Sequence, residues 1–102
     1  MEAKKSFSEL INDPEKAVLV DFFATWCGPC QALSPIIQEV ANELGDKINV
    51  IKIDVDKNPA VSQHFRIRGV PTLMIFKGGE IKWQQAGLLS KRDLKSVIEK
   101  HA

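Results

Sequence analysis

The sequence predicts an α/β chain, a central mixed sheet of four strands flanked by four helices. Three observations lead there. Residues 17–24 form a nearly unbroken apolar run, interrupted by Asp21, and read as a buried parallel strand. Helical and strand-like patterns then alternate along the chain, which implies parallel pairing with crossover helices on both sheet faces. Later, Gly78-Gly79 separates two short strand patterns, a two-residue hairpin signal that adds antiparallel pairing.

The elements follow in order. Ser6-Phe7-Ser8-Glu9 is a capping box that opens a short helix ending near Asn12, and Asp13-Pro14 breaks the chain there. The strand at 17–24 comes next. Leu33, Ile36, Ile37, Val40, Ala41 and Leu44 fall at steps of three and four, one face of a long helix that Gly45 ends. Pro35 inside that helix removes a backbone donor and predicts a kink. Residues 48–55 read as the second strand. Asn58-Pro59 pairs an N-cap with proline at the first helical position, starting a helix that carries Val61 and Phe65. Gly69-Val70-Pro71 is a break, with strands at 72–76 and 81–85 beyond it. Ser90 caps a last helix whose buried stripe is Leu94, Val97 and Ile98.

No repeat, linker or low-complexity tract divides the chain, so one domain over residues 1–102 is expected. Hydrophobic residues at 44% and charged residues at 26% are ordinary for a globular chain. The net charge of +1, without a basic stripe, points to neither nucleic acid nor an anionic membrane. Residues 1–7 lack the apolar stretch of a secretory signal, and no segment approaches the ~20 apolar residues of a membrane helix. A cytoplasmic location is therefore expected. In a reducing compartment a cysteine pair is more often catalytic or metal-binding than structural.

Both cysteines lie in Trp26-Cys27-Gly28-Pro29-Cys30, where the strand pattern gives way to the long helix. At the helix mouth the unpaired backbone donors and the helix dipole favour thiolate over thiol, which lowers the pKa of Cys27 and makes it the nucleophile. Cys30 lies one turn on and can reach back at disulfide geometry, as the resolving thiol. Cys27 attacks a substrate disulfide, Cys30 attacks Cys27, and the reduced substrate leaves. Gly28 allows close backbone approach, and Pro29 stiffens the turn. Two duller readings compete. A zinc half-site needs about four ligands, and only the distant His64 and His101 remain. A structural disulfide would close a very short loop and gain little chain entropy.

Asp21 is a carboxyl inside an apolar strand, on the face of Leu19 and Phe23, so burial should raise its pKa. It precedes Cys27 by six residues and could take the Cys30 proton, directly or through water. The alternative is a buried acid paired with Lys52 of the next strand. Trp26, beside the thiol, is expected to shield the site and to offer a contact surface. The bond before Pro71 would by its residues alone be trans. Trp83 is expected to pack on the sheet.

These residues together resemble the thioredoxin family. The resemblance runs from about Ser6 to the C-terminus, and rests on Val20-Asp21-Phe22, the cysteine motif, Pro35, Asp54-Val55-Asp56 with Asn58-Pro59, Gly69-Val70-Pro71-Thr72, the segment 76–79 and Gly87. It implies a thioredoxin fold, a low-pKa cysteine and a reducing potential. It also implies a cis Pro71 facing the cysteines, and a Val70 backbone that pairs with an extended substrate. Trp26, Gly28, Pro29, Val70 and Gly87 would form a flat apolar docking surface. No bound cofactor or metal is implied; the redox-active Cys27–Cys30 disulfide would receive electrons from a thioredoxin reductase, a flavoprotein drawing on NADPH. Protein disulfides, including those of reductases and peroxiredoxins, would be the acceptors, and the protein would act as a monomer.

Four positions depart from the family pattern: Phe23 for Trp, Gln31 for Lys, Ala86 for a bulkier aliphatic, and only five residues before Ser6. The last leaves a truncated fifth edge strand, or none, beside 48–55. A disulfide isomerase or oxidant is the nearest rival activity, but Gly28-Pro29 lacks the histidine usual in such sites. A non-catalytic binding module is the rival from another class.

Overall fold

The computed structural model describes residues 6–102, so the truncated strand expected before Ser6 lies outside the described residues. Helix α1 (Phe7–Ile11) starts at a complete capping box: the Ser6 hydroxyl accepts from the Glu9 amide, and the Glu9 carboxylate accepts from the Ser6 amide. Strand β1 (Ala17–Phe23) follows. Helix α2 (Gly28–Leu44) begins at Cys27 and ends at Gly45, whose φ of 56° suits a residue without a Cβ. It continues past Pro35, whose ring nitrogen has no proton for the Gln31 carbonyl. One backbone bond is lost and the helix survives.

Strand β2 (Ile48–Asp54), helix α3 (Pro59–His64), strands β3 (Thr72–Lys77) and β4 (Glu80–Ala86), and helix α4 (Lys91–His101) complete the chain. Asn58 occupies the N-cap of α3, but its side chain does not cap the helix. Its amide donates instead to the Asp54 carbonyl at 3.0 Å. The tight turn after β2 turns that carbonyl inward, where the Lys57 and Asn58 amides also donate to it. Ser90 does cap α4, accepting from the Asp93 amide.

The sheet order is β2-β1-β3-β4. β1 runs parallel to β2 and antiparallel to β3, and β3 and β4 form the hairpin. Gly78 and Gly79 take φ values of 61° and 81°, which a two-residue hairpin turn requires. Their amides donate to the carbonyls of Asp13 and Ile11, tying the turn to the end of α1.

Strand alternation divides the core into two layers. Leu19, Leu73 and Ile75 face Leu33, Ile37 and Val40 of α2 and Leu94 and Ile98 of α4. Val18, Val20, Phe22, Met74 and Phe76 face α1 and α3. There Phe65 meets the rings of Phe7, Phe76 and Phe22 at centroid distances of 5.4, 5.5 and 6.2 Å. Edge-to-face and tilted contacts of this kind suit the charge distribution of aromatic rings. Trp83 packs on the α2 layer, as its hairpin position predicts. Burying each large apolar side chain contributes about 1.5–3 kcal/mol, so both layers hold β1 firmly. β1 is the strand that delivers the chain to the cysteines.

Candidate active site

After Phe23 the chain turns through residues 24–26 and enters α2 with Cys27 as its cap. Two bonds fix this turn. The Cys27 amide donates to the Ala24 carbonyl at 3.2 Å, and the Gln31 side-chain amide donates to the Thr25 carbonyl at 3.1 Å. Gln31, where the family often has a cation, thus ties the loop to the first turn of α2.

Cys27 and Cys30 are joined as a disulfide with Cα atoms 5.3 Å apart. The Cys27 sulfur also accepts from the Cys30 amide at 3.1 Å, one of the free donors of the helix mouth. Cys27 and Cys30 are only 4% and 5% exposed. Trp26, Gly28 and Pro29 around them are exposed, so an incoming disulfide reaches a small opening within an accessible rim. The Cys27 sulfur lies 3.6 Å from the Val70 carbonyl oxygen, an acceptor for the thiol once the bridge is reduced.

The Val70–Pro71 bond is cis, against the preference of the residues alone and as the resemblance implies. Pro71 itself is buried and Val70 half-buried, so of the two only Val70 presents surface. Gly87, at a φ of 99°, donates its amide to the Pro71 carbonyl at 2.9 Å. Trp26 and Val70 line one hollow of about 130 Å³. The structure therefore brings Trp26, Val70, Pro71 and Gly87 around the cysteine bridge.

On the other side of the bridge, Asp21, Phe23, Cys30, Ser34 and Lys52 line a cavity of about 230 Å³. That volume accommodates water between the carboxyl and Cys30. Asp21 is 1% exposed, and its Oδ1 has no hydrogen-bond partner. Burial pushes its pKa from 3.8 up to about 6, against a smaller opposing pull from the Lys52 charge.

The alternative pairing of Asp21 with Lys52 does not form as an ion pair among the described residues. The two are register partners across β1 and β2, but the Lys52 ammonium donates to the Ser34 hydroxyl at 2.8 Å. It also stands 5.4 Å from the centroid of the Phe23 ring. Lys52 acts on Asp21 through its field alone.

Ser34 escapes the sequence reading, and Asp56 enters it only as part of a motif, with no role of its own. Ser34 was findable: it follows Cys30 by one helical turn and faces the same cavity. Asp56 accepts from the Trp26 indole at 2.8 Å, fixing a side chain that is itself 71% exposed. Thirty residues separate that pair, and no local pattern announces it. No group of three or more His, Cys, Asp or Glu among the described residues could hold a metal ion, so the zinc reading gains no further ligands. No described helix is long and apolar enough to cross a membrane.

Comparison with known proteins bears on this site. The family profile described as Thioredoxin matches residues 1–100. The chain is 48% identical over 103 residues to "Thioredoxin Y, chloroplastic" of Oryza sativa subsp. japonica, covering 97% of this chain and 61% of that protein. It is 43% identical to "Thioredoxin 1" of Nostoc sp., covering 94% and 90%. It is 42% identical to "Thioredoxin" of Chlorobaculum thiosulfatiphilum, covering 95% and 90%. The chain thus spans about three fifths of its chloroplastic relative and most of the two bacterial ones. With a cysteine bridge at the mouth of α2 and a family match along nearly its whole length, the chain belongs to the thioredoxin family and is a thiol–disulfide oxidoreductase whose redox group is its own Cys27–Cys30 pair.

Proposed function

We propose that the chain works as a single domain over residues 1–102 and reduces protein disulfides, with Cys27 as nucleophile, Cys30 as resolving thiol and Asp21 as proton acceptor. The observation that carries this is the position of the bridge, capping α2 on one side and sharing a cavity with a buried, unpartnered carboxyl on the other. The Cys27 thiolate attacks one sulfur of the substrate disulfide and releases the other as thiolate. Asp21, ionised above about pH 6, takes the proton of Cys30 through water. The Cys30 thiolate then attacks the Cys27 sulfur and releases the second substrate thiolate. Two electrons pass to the substrate, and the Cys27–Cys30 bond closes.

Lys52 is the positioning residue for the charge on Asp21. Gly28 and Pro29 shape the rim. Trp26, Val70 and Gly87 make the docking surface, Val70 by backbone pairing with an extended segment, and the buried cis Pro71 supports Val70 from beneath. A flavoprotein thioredoxin reductase drawing on NADPH re-reduces the bridge, and reductases and peroxiredoxins are among the acceptors. The protein acts as a monomer in the cytoplasm; the chloroplastic relatives make the plastid the rival location, which imaging of the tagged protein decides.

Insulin reduction coupled to such a reductase and NADPH tests the activity. Steady NADPH consumption with insulin precipitation is expected, and a folded sample without turnover would sink the reading. Cys30→Ser should stop turnover and leave a mixed disulfide on Cys27, visible by mass spectrometry.

A further inference from the structure

The surface around the cysteine bridge is unevenly charged. Residues 25–38, which carry both cysteines, include no charged side chain, and neither do residues 83–90. The segment leading to Val70 differs: Arg66 and Arg68 are both exposed. Arg68 lines the hollow of about 130 Å³ with Trp26 and Val70. Both arginines line an adjoining hollow of about 180 Å³ with Thr72, Gln84 and Ala86. Neither guanidinium joins an ion pair among the described residues.

The backbone presents them. Arg66 takes a φ of 54°, a conformation that costs an L-residue energy and is more often given to glycine. It is held by its amide on the Gln63 carbonyl and by the Ile67 amide on the Ser62 carbonyl. The turn carrying Asp54, Asp56 and Lys57 adds further charge to this rim, and there the Asp56 carboxylate accepts from the Trp26 indole. The region beyond Val70, away from that turn, is cationic.

We propose that Arg66 and Arg68 determine substrate preference, selecting disulfide-bearing segments with Asp or Glu close to the reacting cysteine. The inference rests on the disulfide-reductase reading above. A segment laid against Val70 passes both hollows, and a carboxylate there meets planar guanidiniums able to bind it through two parallel bonds. The uncharged cysteine loop and residues 83–90 add nothing that opposes that attraction, so it raises the encounter rate most at low salt.

The test uses the reduced full chain and three synthetic peptide disulfides, identical except for Asp, Asn or Lys flanking the cysteine. Second-order rate constants are measured by stopped flow at low and high salt. The Asp-to-Asn ratio should be roughly three- to tenfold at low salt, fall toward one at high salt, and fall toward one in the Arg66→Gln, Arg68→Gln double variant. Taking a ratio cancels any effect of the substitutions on the thiol chemistry itself. Arg68→Glu should turn the preference toward the Lys peptide. A wild-type ratio near one, or an unchanged ratio in the double variant, overturns the proposal while the reductase reading stands. Failure to reduce any of the three peptides overturns both.

Discussion

Two aspartates lie on neighbouring parallel strands, Asp21 within β1 and Asp54 at the end of β2, and their surroundings differ sharply. Both are buried, at 1% and 9% exposure. The Asp54 carboxylate accepts from the Asp56 amide at 2.9 Å and the Lys57 amide at 3.4 Å, closing the turn that leads to α3. Asp21 has an orphaned oxygen over a cavity, and burial holds its pKa at about 6. The first carboxyl organises backbone. The second is left unsatisfied, which disfavours its charge and makes it a better base near neutral pH. A buried acid without a partner beside a reacting sulfur is a functional arrangement; a buried acid with backbone partners is a structural one.

The largest test of the contrast is Asp21→Asn. Loss of the proton acceptor should slow the attack of Cys30 on the mixed disulfide by roughly 100-fold at neutral pH, read by single-turnover kinetics. Wild-type resolution should slow as pH falls through about 6, and the variant should lack that limb. Equal rates across pH would remove Asp21 from the mechanism.

The same substitution should raise stability. Folded Asp21 holds its proton up to about pH 6, whereas an unfolded aspartate releases it near 3.8. Between these values the folded state binds more protons, so stability falls as pH rises. The full cost, at most about 3 kcal/mol, applies above pH 6. Urea unfolding of oxidised Asp21→Asn should therefore show a gain approaching that size at pH 7, and almost none near pH 3. Asp54→Ala should do the opposite, losing about 1–3 kcal/mol as its turn amides lose their acceptor. Similar responses at both positions would mean that the two carboxyls play the same part.

Lys52→Met removes the charge that opposes burial at Asp21, so the acid limb of the resolution rate should move to higher pH. An unmoved limb would mean that Lys52 acts only through Ser34. Arg66→Gly relieves a left-handed backbone and should add about 1 kcal/mol, seen as a higher urea midpoint at unchanged slope.

Asp21 was legible in the sequence because it alone interrupts an apolar strand, and a lone acid there must be either paired or used. The element order was equally legible, since Ser6, Gly45, Gly78-Gly79 and Ser90 mark boundaries by local chemistry that the fold retains. Asn58 shows the limit of such marks. A side chain suited to accept from the helix mouth donates instead to the Asp54 carbonyl, a contact that only the closed turn supplies. The ring cluster around Phe65, the Trp26–Asp56 bond and the Lys52–Ser34 bond were illegible for a related reason. Each joins segments that meet only after the sheet and its helices have assembled. The choice between pairing Asp21 with Lys52 and leaving it alone was of this kind too, because strand register makes them neighbours and Ser34 draws the ammonium away.

The interior position of β1 has one more consequence. It is bonded along both edges, and its residues from Ala17 to Phe22 are buried. Fraying starts where amides face water, at the outer strand β4 and the short end helices, and amides of the two interior strands, β1 and β3, exchange with solvent only when the whole fold opens. The sulfur bridge stands on the part of the molecule that melts last, so heat that loosens the rim leaves its footing intact.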